Sequence, residues 1–417
     1  MIWQIKTLDE LGFVARGKSK HRPRGDKKLY GGKYPLIQTG DIQKTDFYIS
    51  EYTNTYNDVG LAQSKLWKKG TLCLSIVGAN TAESAILGFD ACFPDSVIGF
   101  IANPEMSNEI FIKYYFDTMK LQMRKISDGG ARENLSMEKL FTFKIPTPPV
   151  IIQNKIASIL SSYDELIENN KQRIKLLEEM AEEIYKEWFV RLRFPGYVNS
   201  KILNGLPYGW EKVRLDDYIK FEKGIEPGSD NYCNEKIDNN YIPFLRVGDL
   251  GSRDNCVFVH KDLLKDKILN TDDIAITLDG SVGLVAMNLS GGFSSGVRKI
   301  VFKNKNLKRS FIYQTLLSEN IQSTIKAHAA GTTILHAGSS INFMKILLPD
   351  KIILDKFEEV VNPIIEEILI LKGKTQILQE TRNLLLPRLI SGKLSVNHLV
   401  EEELLMVAEP RAEYQNK

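Results

Sequence analysis

Apolar residues recur along this chain with two periods, and the switch between them marks its organisation. "TLCLSIV" (residues 71–77) and "AITLDGSVGLVAMN" (275–288) alternate as half-buried strands do, and Gly78, Gly88, Gly280 and Gly283 punctuate them as turns. Apolar residues three and four apart predict helices over 108–126 and 310–328. From about Ile151 to Val190 Gly and Pro disappear, and Leu160, Tyr163, Ile167, Asn170, Ile174, Leu177, Ala181, Ile184 and Trp188 fall at alternating steps of three and four. That is a heptad stripe with one polar position, Asn170. Adding 201 gives a second stripe, Val361, Ile364, Ile368, Leu371, Thr375, Leu378, Arg382, Leu385 and Leu389, with Thr375 and Arg382 as exceptions.

The repetition extends beyond the stripes. "PLIQTGD" (35–41) returns 208 residues later as "PFLRVGD" (243–249). "WQIKTLDEL" (3–11) matches "WEKVRLDDY" (210–218), "GTLCLSIVGA" (70–79) matches "DDIAITLDGS" (272–281), and "GGARENLS" (129–136) lies where "AGTTILHA" (330–337) does. The offset stays between 200 and 208, so a unit of about 200 residues is duplicated. Each unit reads as α+β with a large β component, followed by a helix of about 40 residues, roughly 60 Å long. Each stripe needs a partner. Either each helix packs on its own domain, or the two pair with each other. Antiparallel pairing would put the globular units at the two ends of a rod.

Composition changes this picture little. A chain of 417 residues with 43% hydrophobic and 26% charged content reads as ordinary soluble protein. No apolar run has the length of a membrane span, and the first residues lack the pattern of a signal peptide. Cys73, Cys92, Cys233 and Cys256 lack metal-site spacing and read as free thiols of a reducing cytoplasm.

Charge is more informative in its distribution than in its net value of +3. Residues 16–28 pack Arg16, Lys18, Lys20, Arg22, Arg24, Lys27 and Lys28 around a single acid, Asp26. Such a loop is either a solvated basic loop or a contact for nucleic-acid phosphates. Its counterpart at 220–238 is acidic on balance, so the second unit must draw cations from Arg246, Arg253, Lys261, Lys265, Arg298, Lys299 or Lys303. The Gly-Asp phrases read as scaffold, a strand start and its closing turn, or as direct contacts through residues such as Gln38 and Thr39. Arg132, Thr332 and Thr333 are further candidates in the matched segments after the first helices. No P-loop, HExxH, GxSxG, methyltransferase tetrapeptide or nuclease Pro-Asp…Asp/Glu-x-Lys pattern occurs, and the five histidines form no triad-like setting. Catalytic and metal-ligating residues are therefore expected to be absent.

"GLPYGWEKVRLDDY", the "TGDI" and "VGDL" phrases, "FKIPTPPVIIQNKIASIL", "WFVRLRFPG" and "LLLPRLISGKL" together resemble the specificity subunit of Type I restriction-modification systems, over nearly the whole chain. The resemblance implies two mixed α/β target recognition domains at 1–150 and 208–350, each reading half of a split DNA site. It implies helices at 151–190 and 351–396 forming an antiparallel coiled coil that sets the gap, with pseudo-two-fold symmetry, a linker at 191–207 and an acidic, flexible tail at 397–417. It further implies a non-catalytic chain in a bacterial cytoplasmic complex, docking two adenine-N6 methyltransferase subunits and restriction subunits. S-adenosylmethionine, ATP and magnesium would belong to those partners. A methylation-only complex, or a coiled-coil scaffold that never meets DNA, stays open.

Overall fold

The computed structural model describes residues 3–127, 134–250, 256–332 and 334–399. The chain divides into two units, Met1–Asn169 with Thr375–Lys417, and Asn170–Lys374. In the first, the alternating stretches form two sheets. The larger has the order Gly12–Arg16, Val97–Ala102, Leu72–Ser75, Ser84–Leu87, Tyr48–Ile49. Its pairs are antiparallel except the last. The smaller has the order Asn54–Tyr56, Tyr30–Leu36, Ala91–Cys92, Leu66–Trp67, with Leu36 beside Cys92 in parallel. Leu72–Ser75 and Ser84–Leu87 are buried at every position, as strands covered on both faces are.

The second unit repeats this order strand by strand. One sheet runs Ile219–Lys223, Val297–Phe302, Ala275–Thr277, Val285–Ala286, ending where the first unit adds Tyr48–Ile49. The other runs Val257–His260, Tyr241–Leu245, Gly291–Phe293, Ile268–Leu269, its middle pair again parallel at Phe244 and Gly292. An antiparallel ribbon accompanies each pair of sheets, Gln4–Lys6 on Ile145–Thr147 and Glu211–Arg214 on Lys345–Leu348. The predicted helices are present at Glu109–Ser127 and, divided at Ser318, at Arg309–Leu317 and Glu319–Ala327.

Two long helices follow the sheets, a central one at Val150–Tyr185 and a distal one at Lys351–Ile390. The central helix starts after Pro148–Pro149, where missing N–H groups cost nothing. It continues into a π-helical turn at Lys186–Val190, closed by the Arg191 N–H donating to Lys186 O at 2.8 Å, and ends at Leu192 with φ 58°. The distal helix is capped by Asp350, whose Oδ1 accepts the Ile353 N–H at 3.0 Å. Its exit uses Gly392 at φ 73°, where a Cβ would come within 2.9 Å of the Trp3 ring.

Each unit contains half of each long helix. In the first, Ile152, Ile156, Ala157 and Leu160 join Leu385, Leu386, Leu389 and Ile390 in one core with Leu8, Leu11, Phe111, Tyr115 and Phe116. In the second, Ala181, Tyr185 and Phe189 join Ile353, Leu354, Phe357, Val361 and Ile365, with Phe311 and Trp210. The beginning of one helix thus meets the end of the other in both units, which is antiparallel packing. Arg173–Glu367 at 2.8 Å and Glu178–Lys372 at 2.7 Å bridge the pair in the second unit.

The apolar stripe lies on the buried side. Leu160, Ile167, Val361, Ile368, Leu371 and Leu389 are buried, and Tyr163, Ile174, Leu177, Ile184, Trp188, Ile364, Leu378 and Leu385 are half-buried. Leu166 and Leu176, off the stripe, are exposed. Asn170 and Thr375 are also buried. Arg382 finds an acid rather than an apolar neighbour: it pairs with the buried Asp164, which also accepts the Tyr114 hydroxyl. Burial, with Asp164 beside it, pushes the Tyr114 phenol well above its usual range. At the matching places of the second unit stand the apolar, buried Ile365 and Ala181.

Candidate nucleic-acid interface

The two Gly-Asp phrases fold alike. Pro35 and Pro243 lie within strands; Leu36, Ile37, Phe244 and Leu245 are buried beneath the turn that follows. In the first unit the Gln38 N–H donates to Asp41 Oδ2 at 2.8 Å, and the Thr53 hydroxyl donates to Asp41 Oδ1 at 3.0 Å. In the second the Arg246 N–H donates to Asp249 Oδ2 at 2.9 Å. The aspartate therefore ties down the amide three residues before it, which explains why Gly-Asp recurs. Gln38 is exposed, Thr39 half-buried. Arg246 also donates through Nε to Asp249 Oδ2 at 2.9 Å, and that bond holds its guanidinium more firmly protonated than usual.

The loops after the first sheet strands leave through the same gate. A Cβ on Gly17 would lie 2.3 Å from the Phe93 and Pro94 carbonyls; on Gly224 it would lie 2.2 Å and 2.3 Å from those of Ser294 and Phe293. Only glycine passes there. Beyond the gate the loops differ. The basic loop is pinned: the Lys18 N–H donates to Phe93 O at 3.1 Å, and the Lys20 and His21 N–H groups donate to Gln63 Oε1 at 2.8 and 3.1 Å. His21 meets Asp26 at 2.9 Å, and Asp26 accepts the Lys28 N–H at 3.1 Å. That N–H, and His21 after it, hold the Asp26 carboxyl below its usual range. Arg16, Lys18, Lys20, Arg22, Arg24, Lys27 and Lys28 are the cations of this loop, and Arg22 and Arg24 both pair with Asp95. The cations without an ion pair among the described residues are Arg16 and the four lysines.

In the second unit the loop is acidic, and Glu226 Oε1 accepts the Ser295 N–H at 2.9 Å and its hydroxyl at 2.6 Å. Here an open cleft of about 710 Å³ brings Arg246, Arg298, Lys223, Tyr232, Asp279 and His336 together. Arg298 is buried and pairs with Asp279 at 3.1 Å; His336 Nδ1 meets the other Asp279 oxygen at 2.8 Å. Lys299 points the other way, as a strand's period of two requires, and is bound to Asp273 at 2.7 Å and to Ile268 O at 3.2 Å. Lys303 donates to Asp216 O at 2.5 Å, while Lys261 and Lys265 are exposed outside the cleft. Thr332 is exposed in the segment between Ala330 and His336, which pair as a bridge. Arg132, Arg253 and Thr333, and most of the acidic tail, lie outside the described residues.

Sequence reasoning passes over Lys223, Tyr232 and His336. The first two sit in a stretch that is acidic on balance, and His336 has no sequence neighbour to mark it. Among the described residues no group of three or more His, Cys, Asp or Glu is placed to hold a metal ion, and no helix is long and apolar enough to cross a membrane.

Comparison with known proteins agrees with this duplicated architecture. The family model described as "Type I restriction modification DNA specificity domain" matches twice, over residues 2–179 and 207–372. The Type I restriction enzyme MjaIX specificity subunit of Methanocaldococcus jannaschii is 29% identical over 429 residues, covering 95% of this chain and 94% of that one. The Type I restriction enzyme HindI specificity subunit of Haemophilus influenzae is 22% identical over 461 residues, covering 92% and 98%. The crystal structure of a Type-I restriction-modification system S subunit from M. genitalium shares the fold, with a TM-score of 0.64 at 18% identity, covering 93% of this chain and 96% of that one. With the matched segments spanning most of the chain, it belongs to the Type I restriction modification DNA specificity family.

Proposed function

We propose that this chain is the DNA-reading subunit of a Type I restriction-modification complex. Its two recognition domains, at 1–150 and 208–350, each read one half of a split target. The segments 151–190 and 351–396, whose helices run over Val150–Tyr185 with the π-helical turn Lys186–Val190 and over Lys351–Ile390, set the unread gap, and 191–207 links the halves. The chain itself is non-catalytic. Two adenine-N6 methyltransferase subunits and, in the full complex, restriction subunits dock on it and bring S-adenosylmethionine, ATP and magnesium.

The observation that carries this reading is the repetition of one fold, strand by strand, with the DNA specificity family model matching each copy. The basic loop supports it, since lysines on a loop held in place neutralise phosphates and release counterions.

The test is methylation-aware sequencing of cells expressing the chain with a methyltransferase subunit that it binds. A bipartite methylated motif that vanishes without the chain is expected. Methylation independent of the chain would refute the reading. Inserting one heptad into both long helices lengthens each by roughly 10 Å, about three base pairs of duplex at 3.4 Å each. The gap should then widen while both half-sites keep their sequence.

A further inference from the structure

We infer that Gln38 and Arg246 occupy the same base-reading position in the two units, Gln38 reading an adenine and Arg246 a guanine. This rests on the DNA-reading function proposed above and names the side chains that would carry its specificity.

The two residues hold equivalent places, each third after the phrase's proline and third before its aspartate. Both have their backbone amide fixed by that aspartate, at 2.8 and 2.9 Å. The residues just before them are core, with Ile37 at 0% and Leu245 at 2% exposure. The frame is therefore constant and buried, while the side chain it presents is polar and differs between units. Gln38 is exposed, and Arg246 lines the open cleft. Beside them the backbone is open among the described residues: around both Gly40 and Gly248, nothing beyond the adjoining chain lies within 4 Å of where a Cβ would stand. Neither glycine carries a side chain that would hold a duplex edge away from the turn.

The chemistry separates the two readings. A glutamine carboxamide donates to N7 and accepts from N6 of adenine, and an arginine guanidinium donates twice, to O6 and N7 of guanine. Asp249, itself buried, grips Arg246 through Nε at 2.9 Å and Nη2 at 3.3 Å, which restricts the guanidinium before any DNA arrives. Asp41 gives its second oxygen to Thr53 instead. A rigid turn with an exchangeable tip lets one frame read different bases, and it accounts for a phrase that keeps Pro, Gly and Asp while Gln38 in one copy stands where the other has Arg246.

The experiment uses the full chain, co-expressed with a methyltransferase subunit that it binds, in cells lacking other adenine methylation. Gln38→Arg should convert one A·T pair of one half-site to G·C. Arg246→Gln should convert one G·C pair of the other half-site to A·T, with the gap unchanged in both. Gln38→Ala and Arg246→Ala should keep the complex assembled and lower discrimination at that single pair by roughly ten- to a hundredfold. If a swap abolishes methylation, the alanine variant decides: a motif relaxed at one pair supports the assignment, and an unrelaxed motif overturns it. Swaps that leave a normally methylated motif unchanged also overturn it. Failure of the underlying function looks different, since then the parent chain would not direct a bipartite motif at all.

Discussion

The loop around Gly17 in the first unit carries seven Lys and Arg; the loop around Gly224 in the second is acidic on balance. Both loops leave through the same glycine gate, beside sheets of the same strand order. In the first, Asp95 beyond the gate collects Arg22 and Arg24; in the second, Ser295 there donates to Glu226. The difference teaches where duplication permits change. Positions that a Cβ would jam, or whose amide an aspartate must hold, recur. Charges that project past them have diverged even in sign.

The long helices show the same contrast inside the core. The first unit fastens them with Tyr114, Asp164 and Arg382, the second with Tyr185, Phe189, Phe311 and Phe357, whose rings lie 4.9 to 6.4 Å apart. The largest expected effect breaks this difference. Asp164→Ile alone strands Arg382 and should cost about 3–5 kcal/mol. Adding Arg382→Ala makes the site resemble the second unit and should recover most of that loss. Urea unfolding followed by probes placed in each unit would show it, with only the first unit's transition moving.

Next come the gates. Gly17→Ala and Gly224→Ala should each destabilise by about 1–3 kcal/mol, because carbonyls at 2.2–2.3 Å must give way. Equal losses in urea unfolding would sharpen the equivalence; a neutral Gly224→Ala would break it.

A smaller effect separates the loops electrostatically. Replacing Lys18, Lys20, Lys27 and Lys28 by Ala should lower the slope of log binding constant against log salt by about 0.9 for each phosphate no longer neutralised. Arg22→Ala and Arg24→Ala should lower it less, because Asp95 already neutralises them. An unchanged slope in the lysine variant would return the loop to solvent.

The smallest effect is a pH dependence. The Asp26 carboxyl titrates below the ordinary aspartate value of 3.8 in the folded loop, chiefly through the Lys28 N–H. Its contribution is complete above that value and lost as pH falls through the lower folded one. Amide exchange at Lys28 should therefore show no Asp26-linked loosening between about pH 5 and 8, and loosen only in strong acid. Asp26→Asn should loosen it at all pH values, while the second unit is unaffected.

The sequence by itself determined the elements that neighbouring residues decide. The heptad stripe and the alternating strands were legible because each arises from contacts within a turn or a pleat, which recur in the letters, and the two-fold repetition because matched segments return at a nearly constant offset. The Gly-Asp phrases were legible for the same reason, their hydrogen bond spanning three residues. Tertiary structure alone decided the rest. The repeats in the letters run helix after domain, but each folded unit takes the near half of its own helix and the far half of the other. In the letters Arg382 is a flaw in its stripe; in the fold it meets Asp164, 218 residues away. Arg24 reads as a free phosphate ligand, but it meets Asp95, 71 residues away. Arg298 and Lys299 look interchangeable, yet adjacent residues of a strand face opposite ways, and one lines the cleft while the other props the sheet. A periodicity is a property of the local chain, whereas the partner of a charge is set by where distant segments close on one another.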